Sequence, residues 1–513
     1  MTNEFKGKPE RRGRTARISA PVARQVNYRQ LRNPFSPQEI FSEDEISQIH
    51  ATALRVLKNL GIKVLLPEAC KIYATGGARV VNNMVYIGAD IVEEALRTAP
   101  ASIVLRAPNS TRDQVYENGA LLFTPAGGCP NVYDRVRGRA AGSLQTYQEA
   151  IKLTQSFDVL HKLPAAPEPQ DILINIRHLA TTQAQLTLGD KLLTTYARGQ
   201  KQAEQVFELI QTGLNLSDSE FAEASWTIAV INSNSPRQLD KPMARGIIDF
   251  ARAGQMSIIT PFCLAGAMAP VTVAGALVLQ HAEALAGIVL AQLSKIGAPV
   301  SYGGFSSNVD MKSGSPAFGT PEHLKMQLGA GQLARYIGLP WRSASGSSAN
   351  VADAQGAHEN IMGVWGGVLS GANMLVHGAG WLEGGLTIGF EKLICDIEAL
   401  QVIAELFQPT ACNDAEMAYA AIADVKPGGH FFATEHTMER FDTAFYSPLV
   451  ADLQNYGSWE ESGSQNAETR ATKIWQDTLS SYVVPKGCEE ISGRLEETLA
   501  KLTEAGGAYP TTD

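Results

Sequence analysis

The chain lacks most of the short motifs by which a sequence reveals its chemistry. It has no GxxxxGKS/T phosphate loop, no dinucleotide-type glycine fingerprint after a strand, no GxSxG elbow and no HExxH pair. Its six cysteines (Cys70, Cys129, Cys263, Cys395, Cys412, Cys488) show neither CxxC nor CxH spacing. That excludes a zinc ribbon or a disulfide framework and suits buried thiols in a reducing compartment. No ligand spacing supports a bound metal. Positive charge is in deficit: the net charge of −9 argues against a nucleic-acid-binding body. No apolar run reads as long enough to span a bilayer. The basic opening "MTNEFKGKPERRGRTARISAPVARQ" has no apolar core, so Arg11-Arg12 is not expected to be an export signal. The expectation is a cytoplasmic protein with no membrane and no nucleic-acid partner.

What is present is an ordinary globular composition, 44% hydrophobic and 19% charged over 513 residues, with room for a large core. Residues 1–33 form a basic arm carrying Lys6, Lys8, Arg11, Arg12, Arg14, Arg17 and Arg24, read as solvated or, alternatively, as a dock for an acidic partner protein. Residues 34–118 read as an α/β cap. There "SEDEISQIHATALRVLKNLGIKV" opens with Ser42 and Glu45 in capping-box spacing, and "ADIVEEALRTAP" is a second helix ended by Pro100.

From 119 to 408 one unit recurs: an apolar run, a polar or glycine-rich corner, a helical stretch. Eight apolar runs are found at 120–128, 158–166, 191–199, 226–234, 257–266, 299–307, 339–347 and 373–381, each followed by a helix candidate. This alternation implies a parallel sheet, and eight units imply an α/β fold of the (β/α)8, TIM-like barrel class. Sites in such barrels lie where strands end and helices begin. Residues 409–513 form an aromatic-rich C-terminal extension expected to cover the barrel mouth.

The polar side chains crowd into those corners. "SASGSSAN" (343–350) is a weak candidate anion cradle at a helix start. Asp353 reads as an N-cap, and Gln355, His358 and Glu359 fall in the first turns of the seventh helix. The glycine-rich "HGAGWLEGGLTIGFEK" (377–392) holds His377, Trp381, Glu383 and Glu391. His377 reads either as a core histidine or as an acid–base group. Glu383 beside Trp381 suits a bound cation, and Glu391 equally suits an early-helix carboxylate. The segment 427–459 gathers His430, Phe431, Phe432, His436, Phe441, Phe445, Tyr446, Tyr456 and Trp459, either as a lid with aromatic walls or as a hydrophobic latch.

Four strings, "NVDMKSGSPAFGTPEH", "GWLEGGLTIGFEKL", "DAQGAHE" and "PGGHFFATEHT…FYSPLVADL", closely resemble the trimethylamine methyltransferase family, and the resemblance runs over nearly the whole chain. It implies a TIM-like barrel that moves a methyl group from a methylated amine to Co(I) of a corrinoid held on a separate corrinoid-binding protein. One departure is informative. Archaeal trimethylamine enzymes carry pyrrolysine inside the barrel, whereas this chain has only ordinary residues, small ones in "RSASGSSAN". The sequence therefore resembles the non-pyrrolysine branch, some members of which demethylate glycine betaine. A quaternary ammonium leaves as a neutral tertiary amine, so it needs capture and alignment for in-line attack rather than covalent activation.

On that resemblance the expected catalytic residues are Glu383, His358 and His377. Substrate contacts are expected from Trp381, Arg342, Tyr302, Phe305, Asn308, Gln355, His430, Phe432 and Tyr446. Gly303, Gly304, Gly346, Gly384 and Gly385 would let a corrin ring sit against the barrel top. Other donors (carnitine, proline betaine, choline, dimethylsulfoniopropionate, trimethylamine) remain alternatives. So do a non-catalytic betaine- or corrinoid-binding protein and an unrelated barrel acting on phosphorylated metabolites. A homo-oligomer is the default expectation for a metabolic barrel enzyme.

Overall fold

The computed structural model describes residues 26–195 and 198–510; Lys6, Lys8, Arg11, Arg12, Arg14, Arg17 and Arg24 of the basic arm lie outside them. The chain divides into two compact units. Among the described residues one comprises 26–408 with 450–510, the other Pro409–Leu449. Within Pro409–Leu449 the chain forms three short helices, Asp414–Met417, Tyr419–Asp424 and Glu435–Arg440.

The larger unit is built on a curled sheet. Its parallel strands are β1 (Ala120–Pro125), β2 (Leu193–Thr194), β3 (Thr227–Ile231), β4 (Met256–Ile259), β5 (Val300–Gly303), β6 (Trp341–Ala344) and β7 (Met374–Ala379). Pairing runs β1–β7–β6–β5–β4–β3–β2, and the two-residue strand Leu31–Arg32 adds antiparallel to β1 as the eighth. The second apolar run, 158–166, is not a regular strand. It makes single parallel bridges, Gly127 to Ala165 and Lys162 to Leu192, and so connects β1 to β2. Pro164 lies inside that stretch and Pro167 follows it, and a proline cannot donate to a ladder.

Eight helices follow the eight positions: α1 (Leu144–Ser156), α2 (Arg177–Leu188), α3 (Gln200–Leu214), α4 (Lys241–Ala253), α5 (Val273–Ser294), α6 (Pro321–Tyr336), α7 (Ala354–Leu369) and α8 (Phe390–Leu406). Helix α5 is long and apolar enough, by length and composition alone, to cross a membrane, contrary to the reading of the sequence; 78% of that stretch is buried inside the fold. A helix apolar all round is a core helix, and the polar groups on α5 are each satisfied. Glu283 accepts from Ser235 Oγ at 2.6 Å and from the Arg237 amide at 2.7 Å. His281 bridges His50 and Tyr302 at 2.8 and 3.0 Å.

The cap 34–118 carries the expected helices, Glu43–Arg55 with Ser42 and Glu45 in a full capping box, and Ala89–Thr98. Its buried side chains join the same hydrophobic cluster as α5 and α6. The last part of the cap is a hairpin, Ser102–Leu105 with Gln114–Glu117. Ile103, Leu105, Ala107 and Tyr116 from this region cluster with Leu122, Leu192, Ile228, Met256, Ile258, Met374 and Val376 of the sheet. The Tyr116 hydroxyl reaches Ser301 Oγ at 2.7 Å. The inner face of the sheet is thus stoppered by apolar side chains on the side from which the strands start. Helices Ala467–Ser480 and Cys488–Glu504 close the larger unit; Trp475 of the former donates to Glu391 at 2.8 Å.

Candidate functional site

Alternate residues of a strand face opposite sides of a sheet, and here the alternation sorts the candidates. Tyr302 lies in register with Trp341, and Gly303 with Arg342. Tyr302 turns outward, its hydroxyl on His281 of α5 and no surface exposed. It packs between sheet and helices and so is corrected from a substrate contact to a structural tyrosine. Arg342 turns inward above the apolar layer, 1% exposed, together with Lys162. Among the described residues no carboxylate pairs with either cation.

The Lys162 ammonium donates to Thr194 Oγ1. The Arg342 guanidinium reaches His377 Nε2 at 3.4 Å, and its Nε and Nη1 have no protein partner. Burial pushes the Lys162 ammonium down to about 7, with Arg342 adding repulsion, and pushes Arg342 down to about 9. Burial, then Arg342 and Lys162, hold His377 far below the ordinary imidazole value, so it is neutral. Its Nδ1 accepts from the Gly127 amide at 3.3 Å. His377 owes its direction to a bulge. The register shifts between Leu375 and Ala379, and His377 takes φ +61°. A bulge re-aims a side chain at a strand end, and here it turns the imidazole onto Trp381, ring centroids 3.6 Å apart.

Beside the cations lies an aromatic cluster centred on Phe305. Phe318 stacks on it at 5.3 Å, Phe262 lies at 5.1 Å, and Trp381 meets it edge-on at 5.8 Å. The Arg342 guanidinium sits 5.5 Å from the Phe305 centroid. His323, pushed down to about 4 by burial, packs edge-on to Phe318. The buried hydroxyls of Thr124 and Thr260 and the Trp381 Nε1 also lack protein partners. The structure therefore brings together Arg342, Phe305, Trp381 and His377 of the expected residues, and adds Lys162, Phe262, Phe318 and His323.

Other expected residues stand elsewhere. Glu383 accepts two hydrogen bonds from Arg139 Nε, at 2.8 and 3.0 Å, so its charge is already neutralised and it is not a free counter-ion for a bound cation. His358 and Gln355 are exposed on α7, the latter donating to Glu359 at 2.8 Å. Asn308 accepts from Thr320 Oγ1 at 2.9 Å. His430 and Phe432 pack against one another at 5.6 Å within Pro409–Leu449, which also contains Tyr446. The "SASGSSAN" cradle does hold an anion, but one from its own chain. Glu359 Oε2 accepts from Ser347 Oγ, Ser348 N and Ala349 N at 2.8, 2.7 and 3.2 Å. Asp353 caps α7 by accepting from the Gly356 amide at 3.0 Å.

At four of the five glycines expected to face a corrin, a side chain would crowd neighbouring protein atoms. A Cβ at Gly303 would lie 2.3 Å from Thr260, at Gly304 2.4 Å from Gln280, at Gly346 3.2 Å from Phe318 and at Gly385 2.3 Å from Trp381. Internal packing accounts for these four, whereas a Cβ at Gly384 would meet only Pro316, at 3.9 Å. Among the described residues no group of three or more His, Cys, Asp or Glu is placed to hold a metal ion.

Fold and site define an α/β protein whose curled sheet carries a buried pair of cations beside an aromatic cluster. The chain belongs to the trimethylamine methyltransferase (MTTB) family, whose description matches residues 8–507, and it is accordingly a methyltransferase. It is 32% identical over 464 residues to a glycine betaine methyltransferase of Desulfitobacterium hafniense, covering 90% of this chain and 96% of that protein. It is 28% identical over 473 residues to the trimethylamine methyltransferase MttB of the same species, covering 91% and 94%. Among solved structures it is similar to the monomethylamine methyltransferase MtmB of Methanosarcina barkeri, at 9% identity and a TM-score of 0.43 over 90% of this chain and 95% of that one.

Proposed function

We propose that this enzyme removes a methyl group from a quaternary amine that also carries a carboxylate, glycine betaine foremost, leaving dimethylglycine. The observation that carries this reading is Arg342: a buried guanidinium with two unpartnered nitrogens, lying over the face of Phe305. An unpaired buried cation is costly unless a ligand completes it. A carboxylate completes it, and the trimethylammonium end then falls among aromatic faces, which attract quaternary cations. The relatedness to a glycine betaine methyltransferase supports the same substrate class. The curled sheet, closed through the 158–166 stretch, acts as a (β/α)8 barrel with its site at the strand ends.

The methyl acceptor in this reading is a Co(I) corrinoid on a separate protein, which supplies the nucleophile. This chain's residues do the rest. Arg342 fixes the carboxylate. Phe305, Phe318 and Trp381 hold the ammonium and exclude water. Neutral His377 braces Trp381 through its bulged backbone and adds no competing positive charge. No proton needs to move, because the leaving group is a neutral amine, and that agrees with the absence of a free carboxylate in the cluster among the described residues.

The test is incubation of the purified protein with cob(I)alamin and, separately, glycine betaine, choline and trimethylamine, following methylcobalamin by absorbance. Transfer from glycine betaine and none from the other two is expected. Equal rates with choline, which has the same ammonium and no carboxylate, would overturn the assignment of Arg342.

A further inference from the structure

Beyond Arg342, the inner face of the sheet holds a second cation. Lys162 is buried, and among the described residues its ammonium has one hydrogen-bond partner, the neutral hydroxyl Thr194 Oγ1. Its neighbour in charge is Arg342, and His377 faces the same space. Two like charges buried together, with a neutral imidazole and no carboxylate from any surrounding strand among the described residues, are an incomplete arrangement. The groups facing it from the elements packed around it are Thr194 on β2, Arg342 on β6 and His377 on β7. A structural lysine in this chain looks different: Lys191, equally buried, spends its ammonium on two backbone carbonyls.

We infer that Lys162 and Arg342 together form a two-cation clamp for the carboxylate of the substrate, with Thr194 holding the ammonium of Lys162 toward Arg342. This rests on the substrate class proposed above and makes Lys162 a specificity-determining residue that neutral-tailed amines do not use. The clamp is pH-gated. Lysine binds a carboxylate only while protonated, and burial lowers Lys162 to about 7 in the empty site. Affinity for the carboxylated amine therefore falls as the pH rises through that value.

The experiment compares the wild-type protein with Lys162→Met, which keeps the length and removes the charge. Steady-state kinetics are taken with glycine betaine from pH 6 to 9, and acetate binding is measured calorimetrically on both proteins. The expected result is a KM raised about 10- to 100-fold, the worth of a charged hydrogen bond, with kcat little changed. The wild-type fall in kcat/KM near neutrality should be absent from the variant. Acetate should bind the wild type and not the variant. If the wild type transfers methyl from glycine betaine and Lys162→Met leaves KM and pH profile untouched, the clamp is wrong and the substrate class stands. Acetate binding that depends on Lys162, in a protein inactive on glycine betaine, leaves the clamp standing and removes the substrate. If the variant does not fold, the wild-type pH profile decides: a kcat/KM flat from pH 6 to 9 rejects the clamp.

Discussion

Two lysines in this protein are both buried and differ in what their ammonium groups touch. Lys191 lies beneath the end of α1 and donates to the carbonyls of Thr154 and Phe157 at 2.8 Å each, with Asp158 at 4.0 Å. Lys162 lies inside the sheet with a single hydroxyl acceptor and Arg342 for a neighbour. Burial drives both ammonium groups down to about 7. Depth and a lowered pKa therefore do not separate a structural cation from a binding one. Saturation does, because a cation whose donors are spent on its own backbone has nothing left for a ligand.

The comparison can be broken at several points. The largest effect is expected at Arg342. Arg342→Met should lower kcat/KM for glycine betaine by about 100- to 1000-fold, chiefly through KM. Its melting temperature should hold or rise, because an unpaired buried charge has been removed. A variant that melts early with unchanged kinetics would place Arg342 with Lys191, among the structural cations. Lys191→Met comes next. It removes two buried charge-assisted hydrogen bonds at the end of α1 and should cost about 2–3 kcal/mol in urea unfolding, while activity per folded molecule stays normal.

A third test uses both lysines at once. An unfolded lysine titrates near 10.4 and these two near 7 when folded, so between pH 7 and 9 the unfolded chain holds more protons. Stability of the ligand-free protein should therefore rise with pH across that window, by at most about 1.4 kcal/mol per pH unit for each lysine. Urea midpoints measured from pH 7 to 9 check this, and the double Met variant should flatten the trend. The smallest effect is expected at Glu383→Gln. It breaks a partly exposed ion pair to Arg139, should shift stability by less than about 1 kcal/mol, and should leave the rate within about threefold. A large loss of activity would restore Glu383 to the site.

Much of this scaffold was legible in the apolar runs, since seven of them contain the strands and each is followed by its helix. Arg342 was also legible, as a charge set inside the apolar run 339–347. Lys162 was not: in "DVLHKLPAA" the strand is reduced to isolated bridges, so no alternation marks which face the lysine takes. Tyr302 was misplaced for the opposite reason. It sits one residue from the inward Gly303, and with period 2 a single step changes the face. Glu383 looked free because its partner, Arg139, stands 244 residues away on another hairpin. Sequence spacing does not carry a pairing of that range.

The hairpin beneath the sheet has a kinetic meaning. Ile103, Leu105 and Tyr116 cork the start of the strands, so in the proposed barrel the site would have a single doorway. Whatever the pocket admitted would go out as it came in. In the proposed reaction the donor would then be seated before the acceptor covers it, and the spent amine would wait until the acceptor has gone. Turnover would resemble a queue rather than a through-flow, its order of arrivals dictated by a stopper that touches neither reactant.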